Sequence, residues 1–385
     1  MSAVETWGAY PAAAEAHWVA QAELATDLVG DAAVERLAFS VARLSDLFTT
    51  ERPEGRFPDY FAETDLLAAY GIFFLPQSFV RTGFALAQAM EWRGWTPTSP
   101  IPAILDLGSG PGSCGVASAH HLLRLGSTQV TLSAVDRSPG ALAGLEQFAA
   151  SLLGKAATIQ TRVGDANRAE TWPEGDYDLI VAGFVLNEMP QLSPAALLTW
   201  FNTLRQRLRP GGLIILLEPA LRTTAERLQR LSEAVCAQGL LPRIGPELDQ
   251  APCPQLLAGE HWNHEARRWR APDATAYANR KLFRDLREVR FSCALFSAAP
   301  LRPTPSEAVR LVSDVQMIKG LLRFIVVRAG QLQSVEVPTR GLSKHEVKAL
   351  AGTFGRGDVV GIPHLTGPKV RLNDRSELRI LWSPS

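Results

Sequence analysis

Cysteine is scarce: Cys114, Cys236, Cys253 and Cys293 lie far apart in 385 residues, leaving neither a disulfide framework nor a Cys-x-x-Cys pair. Net charge is missing too, because 39 Lys and Arg balance 39 Asp and Glu. No global electrostatic pull toward nucleic acid or membrane exists, and any such affinity has to be local. No apolar run reaches the roughly 20 residues of a membrane-spanning helix. The first 20 residues hold Glu5 and Glu15 but no Lys or Arg, unlike a secretory or transit leader, so a reducing, cytoplasmic setting is expected. What is plentiful is apolar residues, 46% of the chain, enough to build a sizeable core in two or three domains.

Divided along its length, the neutral chain is asymmetric. Residues 1–99 hold 6 Lys and Arg against 13 Asp and Glu, whereas 301–385 hold 13 against 7. A further basic run lies at 261–290, so basic surface concentrates in the C-terminal third. Apolar residues recur at helical spacing through Leu24, Leu28, Val34, Leu37, Val41 and Leu44, and 65–90 reads as a second helical stretch broken at Pro76. These define an N-terminal helical region, 1–95. After the link Pro97-Thr98-Ser99-Pro100-Ile101-Pro102, strands at 103–107, 130–135, 158–163, 178–182 and 213–217 alternate with helices near 113–125, 139–153, 193–208 and 221–238. That alternation predicts an α/β domain over 96–300 with a doubly wound, mostly parallel sheet, to which 291–297 adds an edge strand. Short strands separated by Gly and Pro, with one helical insert at 344–353, predict a small, barrel-like β-rich module over 301–385.

Chemistry concentrates at Ile104-Leu105-Asp106-Leu107-Gly108-Ser109-Gly110-Pro111-Gly112. A strand runs into an acid and three alternate glycines, which let the backbone turn tightly and approach a ligand without a Cβ in the way. A dinucleotide fingerprint would put its third small residue at Ser113; here the third glycine is Gly112, so the pattern is Asp-x-Gly-x-Gly-x-Gly. Asp136 stands at the end of the second strand, where a carboxylate accepts ribose hydroxyl protons, and Asp165 at the end of the third. His120 and His121, on the helix after the loop, are expected to be partly exposed. Trp7, Trp18, Trp92 and Trp95 are expected to be packing residues.

Together with Asp176-Tyr177-Asp178-Leu179-Ile180 and the turn Leu208-Arg209-Pro210-Gly211-Gly212, these motifs resemble class I S-adenosylmethionine-dependent methyltransferases. The resemblance implies a Rossmann-like core and S-adenosyl-L-methionine as cofactor. Its contacts would be Asp106, Gly108, Ser109, Gly110 and Gly112, Asp136 and Arg137 at the ribose, Asp165 and Ala166 at the adenine, and Phe184 after the fourth strand. Base-amino methyltransferases show Asn-Pro-Pro-Tyr there, whereas this chain has Phe184-Val185-Leu186-Asn187-Glu188. Asn187 and Glu188 are therefore candidate catalytic residues that orient an acceptor or take its proton; they are equally candidates to cap the helix that follows.

A narrower resemblance rests on 67–79, Val185 to Glu188, Ala251-Pro252-Cys253-Pro254, Trp262-Asn263-His264 and Gly355-Arg356-Gly357-Asp358. Together these are similar to the small-ribosomal-subunit assembly methyltransferase-like family of bacteria and mitochondria. That similarity implies ribosomal RNA or the small ribosomal subunit as partner, with no DNA sequence readout and no membrane. The same family has cysteines able to hold an iron–sulfur cluster, but only Cys253 matches and Asn263 stands at the second position. One thiolate does not hold a cluster, and His261 and His264 are expected to be surface groups rather than ligands, so no metal is expected. The basic residues Arg323, Arg328, Arg340, Lys344, Lys348, Lys369, Arg371, Arg375 and Arg379 either grip RNA phosphates or form a solvated face. Two alternatives stay open: a small-molecule methyltransferase whose acidic N-terminal helices form a lid, and a non-catalytic assembly scaffold.

Overall fold

The computed structural model describes residues 7–49, 51, 57–259, 262–284 and 286–384. Helices α1 (Ala12–Thr26), α2 (Asp31–Phe48) and α3 (Thr64–Ala87) come first, and α3 ends in a wider turn, Gln88–Trp92. The alternating segment follows as β1 (Ala103–Leu107), α4 (Gly115–Arg124), β2 (Val130–Asp136), α5 (Pro139–Leu153), β3 (Ala157–Val163), β4 (Tyr177–Gly183), α6 (Pro194–Gln206), β5 (Leu208–Pro219) and α7 (Arg222–Ala237). Ser138 and Ser193 accept from the backbone N–H three residues on, with Pro139 and Pro194 next to them, so α5 and α6 start where serine and proline set them. The sheet is completed by β6 (Arg243–Gly245), β7 (Glu265–Arg268) and β8 (Glu288–Phe296), with α8 (Pro254–Ala258) and α9 (Asp273–Lys281) between them.

Strand order is β3-β2-β1-β4-β5-β8-β6, with β7 also pairing β8. Neighbours among β1 to β5 are parallel, and β8 is antiparallel to β5. The doubly wound expectation holds, but β8 is an interior strand and not the edge, because β6 and β7 cover its other side. The turn expected at 208–212 is likewise part of β5. Tyr177 pairs with Leu208 and Leu179 with Leu213, so the extra residues bulge out, with Gly211 at φ +77°. One side of the sheet packs α4 and α5 under the N-terminal helices, in a core that includes Trp7, Trp18 and Trp95; the other packs α6 and α7.

Two further expectations are corrected. His121 is 2% exposed, since α4 turns that face toward Trp7 and Phe79. Nor does Pro76 break α3, which runs through it. A proline there removes the donor that would reach the carbonyl of Ile72, and the hydroxyl of Thr275 on α9 donates to that oxygen at 2.8 Å instead. Thr275→Val is therefore expected to cost about 1–3 kcal/mol by orphaning a buried carbonyl, read as a lower urea midpoint; an unchanged midpoint would contradict this account of the uninterrupted helix.

The last segment forms a second sheet from β9 (Ala308–Leu311), β10 (Gln316–Ile318), β11 (Leu321–Arg328), β12 (Gln331–Pro338), β13 (Val359–Gly361), β14 (Lys369–Arg371) and β15 (Arg379–Trp382), with α10 (Lys344–Ala351) inserted. Its order is β14-β12-β11-β9-β13-β15, with β10 on β11. Because β14 and β15 do not pair, the sheet is open rather than a closed barrel among the described residues. Val309, Leu322, Phe324, Val335 and Ile362 give it a core of its own.

Candidate functional site

The carboxyl ends of β3, β2, β1 and β4 lie side by side and carry Asp165, Asp136, the glycine loop and Phe184 in that order. Gly108, Gly110 and Gly112 have φ of +65°, +52° and +97°, a region that side-chain-bearing residues rarely adopt. A Cβ on Gly108 would stand 2.6 Å from Val185, whereas one on Gly110 would meet only the Phe61 ring, at 3.6 Å. Gly110 thus presents bare backbone beneath an aromatic cover. The loop is tied to β2, since Asp136 accepts from Gly110 N at 2.8 Å through Oδ2 and from Ser138 N at 2.9 Å through Oδ1. Burial pushes the Asp136 carboxyl up, against the pull of these two N–H groups. Each oxygen keeps acceptor capacity for a further donor.

Asp106 has a different part from the ligand contact expected of it. It is 0% exposed and its Oδ2 accepts from Gly115 N at 2.7 Å, so it fixes the start of α4 from behind the loop. Oδ1 has no hydrogen-bond partner. Burial pushes its carboxyl up to about 7 from an ordinary 3.8, with the Asp136 charge adding to this and the Gly115 N–H opposing it. The folded state therefore holds this proton more tightly than the unfolded chain does. Stability from the group is complete below about pH 4 and is lost as pH rises to about 7. Asp106→Asn removes that loss, so urea titrations should show the variant gaining on wild type between pH 4 and 7 and a constant gap above; a gap independent of pH would contradict the assignment.

Asp165 accepts from Asn167 N at 3.1 Å, and its carbonyl takes hydrogen bonds from Thr171 and Trp172. Ala166 is buried, with its carbonyl bonded to the Trp200 indole at 2.8 Å. Ser109 is buried within the loop. Phe184 takes φ +62°, an outlier for an aromatic residue, and is held by Phe184 N donating to Leu217 O at 2.7 Å. Asn187 Nδ2 donates to Phe184 O at 2.6 Å, and Glu188 pairs with Arg137 at 3.1 Å, bridging the ends of β4 and β2 over β1. These two residues do not cap the next helix, because Ser193 does so. The structure thus brings every predicted site residue to one edge except Asp106, which lies behind it.

Three contributors have no motif. Phe61, in the short turn Tyr60–Ala62, covers Gly110, and Tyr60 beside it is buried near Glu188 and Asp136; its hydroxyl is raised well above its ordinary value by burial and by Glu188. Arg81 stacks over the Phe184 ring, 5.6 Å from its centroid. A signal for Arg81 did exist, because it is the only charged residue between Leu66 and Met90.

Three of the segments carrying the narrower resemblance, those around Cys253, Asn263 and Asp358, converge elsewhere, whereas 67–79 lies in α3 and Val185 to Glu188 at the glycine-loop edge. Cys253, Asn263, Glu265 and Asp358 meet where β7 faces β9 of the second sheet. Glu265 pairs with Arg267 at 2.7 Å and Arg310 at 2.5 Å, Arg267 also with Asp358, and Arg310 donates to Asn263 Oδ1 at 2.7 Å. Asn263 donates to Glu247 and Gln229 as well. Burial pushes Cys253 up to about 11, with Glu247 adding, so it stands as a neutral thiol. His264 is part-buried and lowered to about 4 by burial and Arg356, and His261 lies outside the described residues. Among the described residues no group of three or more His, Cys, Asp or Glu is placed to hold a metal, and no helix is long and apolar enough to cross a membrane. Of the C-terminal cations, Arg323 and Lys369 share Glu336, and Arg379 pairs with Glu307.

Residues 105–214 match the family described as methyltransferase domain. No curated protein sequence matches the chain. Among solved structures, the chain is similar to a precorrin-6y C5,15-methyltransferase from Geobacter metallireducens, at 13% identity over 51% of this chain and 81% of that one, with a TM-score of 0.30. It is similar to magnesium protoporphyrin IX methyltransferase from Synechocystis, with bound S-adenosylmethionine, at 12% over 67% and 97% (TM-score 0.35), and to an rRNA methylase from Streptococcus thermophilus at 12% over 57% and 96% (TM-score 0.30). Likenesses this distant assign no substrate to this chain.

Proposed function

We propose, from the premise that 105–214 is a methyltransferase domain, that the chain transfers a methyl group from S-adenosylmethionine to ribosomal RNA or to a component of the assembling small ribosomal subunit. The observation that carries the cofactor part is the row Asp165, Asp136, bare Gly110 and Phe184 along one edge of the parallel sheet. Asp136 would accept from the ribose hydroxyls, Asp165 would lie at the adenine, and Gly108 to Gly112 would pass under the sulfur. The cofactor supplies an already activated methyl group, so the protein's work is to hold the acceptor in line and exclude water. Phe61, which covers Gly110, and the buried Tyr60 beside it fit the second task. Glu188, kept beside Arg137, and Asn187, fixed to Phe184 O, stand where an acceptor would arrive.

An open cleft supports the RNA part. Arg81, Arg268, Arg287 and Arg290 line it, and it runs on through Arg268 and Arg290 into a second cleft bounded by Phe354 and Arg356. Glu288, Asp314 and Asp358 offset part of this charge by pairing with Arg290, Arg356 and Arg267, and the excess that is left suits a phosphate backbone. A small-molecule acceptor is the second reading, favoured by the closeness of the Phe61 ring to Gly110 and by the neutralised Arg323, Lys369 and Arg379. The test is to incubate the protein with methyl-labelled S-adenosylmethionine and a lysate of cells lacking it, then count label in RNA, protein and small-molecule fractions. Label in RNA is expected. Label only in small molecules would overturn the RNA reading, and none anywhere, with cofactor bound, would make the chain an assembly scaffold.

A further inference from the structure

Arg81 lines the open cleft described above while its Nε lies buried, and it has no counter-charge among the described residues. Its Nη2 donates to Gln77 at 3.3 Å, its Nε is buried with no hydrogen-bond partner, and among the described residues no carboxylate pairs with it. Burial brings it down to about 10, against Tyr70 and Cys114, which hold it up, so it stays positive at neutral pH. A buried donor left unsatisfied on a cation is costly, and a ligand's anion would remove that cost.

Its place in the row identifies which anion. Cys114 follows directly on the glycine loop and interacts with Arg81. A Cβ on Gly183, at the end of β4, would stand 2.3 Å from Cys114 Sγ, and the next residue, Phe184, lies under the guanidinium. With adenine at Asp165 and ribose at Asp136, a nucleoside points its 5′ substituent past the loop on β1 toward β4. In S-adenosylmethionine that substituent is an amino-acid tail ending in a carboxylate. We propose that Arg81 binds the carboxylate of this tail, and so sets the cofactor's position along the row. This inference rests on the cofactor reading above.

The test is calorimetric titration of the full chain with S-adenosylmethionine and with its decarboxylated analogue, which keeps nucleoside, sulfonium and ammonium. Wild type is expected to prefer the carboxylated form by roughly 10- to 100-fold, as for charge-assisted hydrogen bonds. Arg81→Met should bring the ratio near one while leaving affinity for the decarboxylated form unchanged, which also shows that the variant is folded. Arg81→Lys should restore part of the preference. A ratio that survives in Arg81→Met would overturn the proposal. If that variant instead lost affinity for a single-stranded RNA oligonucleotide with the ratio intact, Arg81 would belong to an acceptor phosphate and the proposal would fall. If wild type bound neither compound, the cofactor reading itself would fail and take this inference with it.

Discussion

Glu265→Ala is expected to destabilise the protein by about 3–5 kcal/mol, the cost of removing one partner from a buried ion pair. Glu265 is 3% exposed and stands between Arg267 of β7 and Arg310 of β9, which are as deeply buried. Burial alone would push its carboxyl up, yet the two guanidinium groups hold it below the ordinary range. Without it, Arg310 keeps Asn263, Arg267 keeps Asp358, and two buried positive charges face each other. Glu265→Gln leaves hydrogen-bond acceptance but not the charge, and should lose less. Urea unfolding reads both, and a midpoint for the alanine variant within error of wild type would refute the view that this network locks the second sheet to the first. Binding at the distant glycine loop should survive wherever the variant is folded.

Asp136→Ala carries the largest expected effect on the site itself. The carboxylate organises the loop through Gly110 N and Ser138 N and is the acceptor proposed for the ribose. Losing a charge-assisted contact of about 1.5–3 kcal/mol should weaken S-adenosylhomocysteine binding by roughly 10- to 150-fold in calorimetry. Asp136→Asn retains one acceptor oxygen and should fall between. Equal affinity in wild type and the alanine variant would remove Asp136 from the site.

Much of this was legible in the sequence because local chemistry dictates it. Serine followed by proline set the starts of α5 and α6, apolar runs marked the parallel strands, and three alternate glycines marked a tight turn after β1. What was not legible depends on partners remote in the chain. Pro76 reads as a helix breaker until Thr275, about 200 residues on, supplies the missing donor. His121 reads as exposed until Trp7 covers it. Strand β8 reads as an edge because β6 and β7 are too short to announce themselves. Asp106 and Asp136 look alike as acids at strand ends, and only burial separates the one behind the loop from the one beside it. Asn263, seen in sequence as a cysteine lost, is a working member of the network around Arg310.

The central claim, a cofactor held across the carboxyl ends of β1 to β4, is tested most directly by hydrogen exchange of the full chain with and without S-adenosylhomocysteine. Protection is predicted at the amides of 106–116, 136–141, 165–167 and 183–188, and little change in β9 to β15. An exchange pattern unaltered at the glycine loop under saturating ligand, or protection confined to the second sheet, would contradict it.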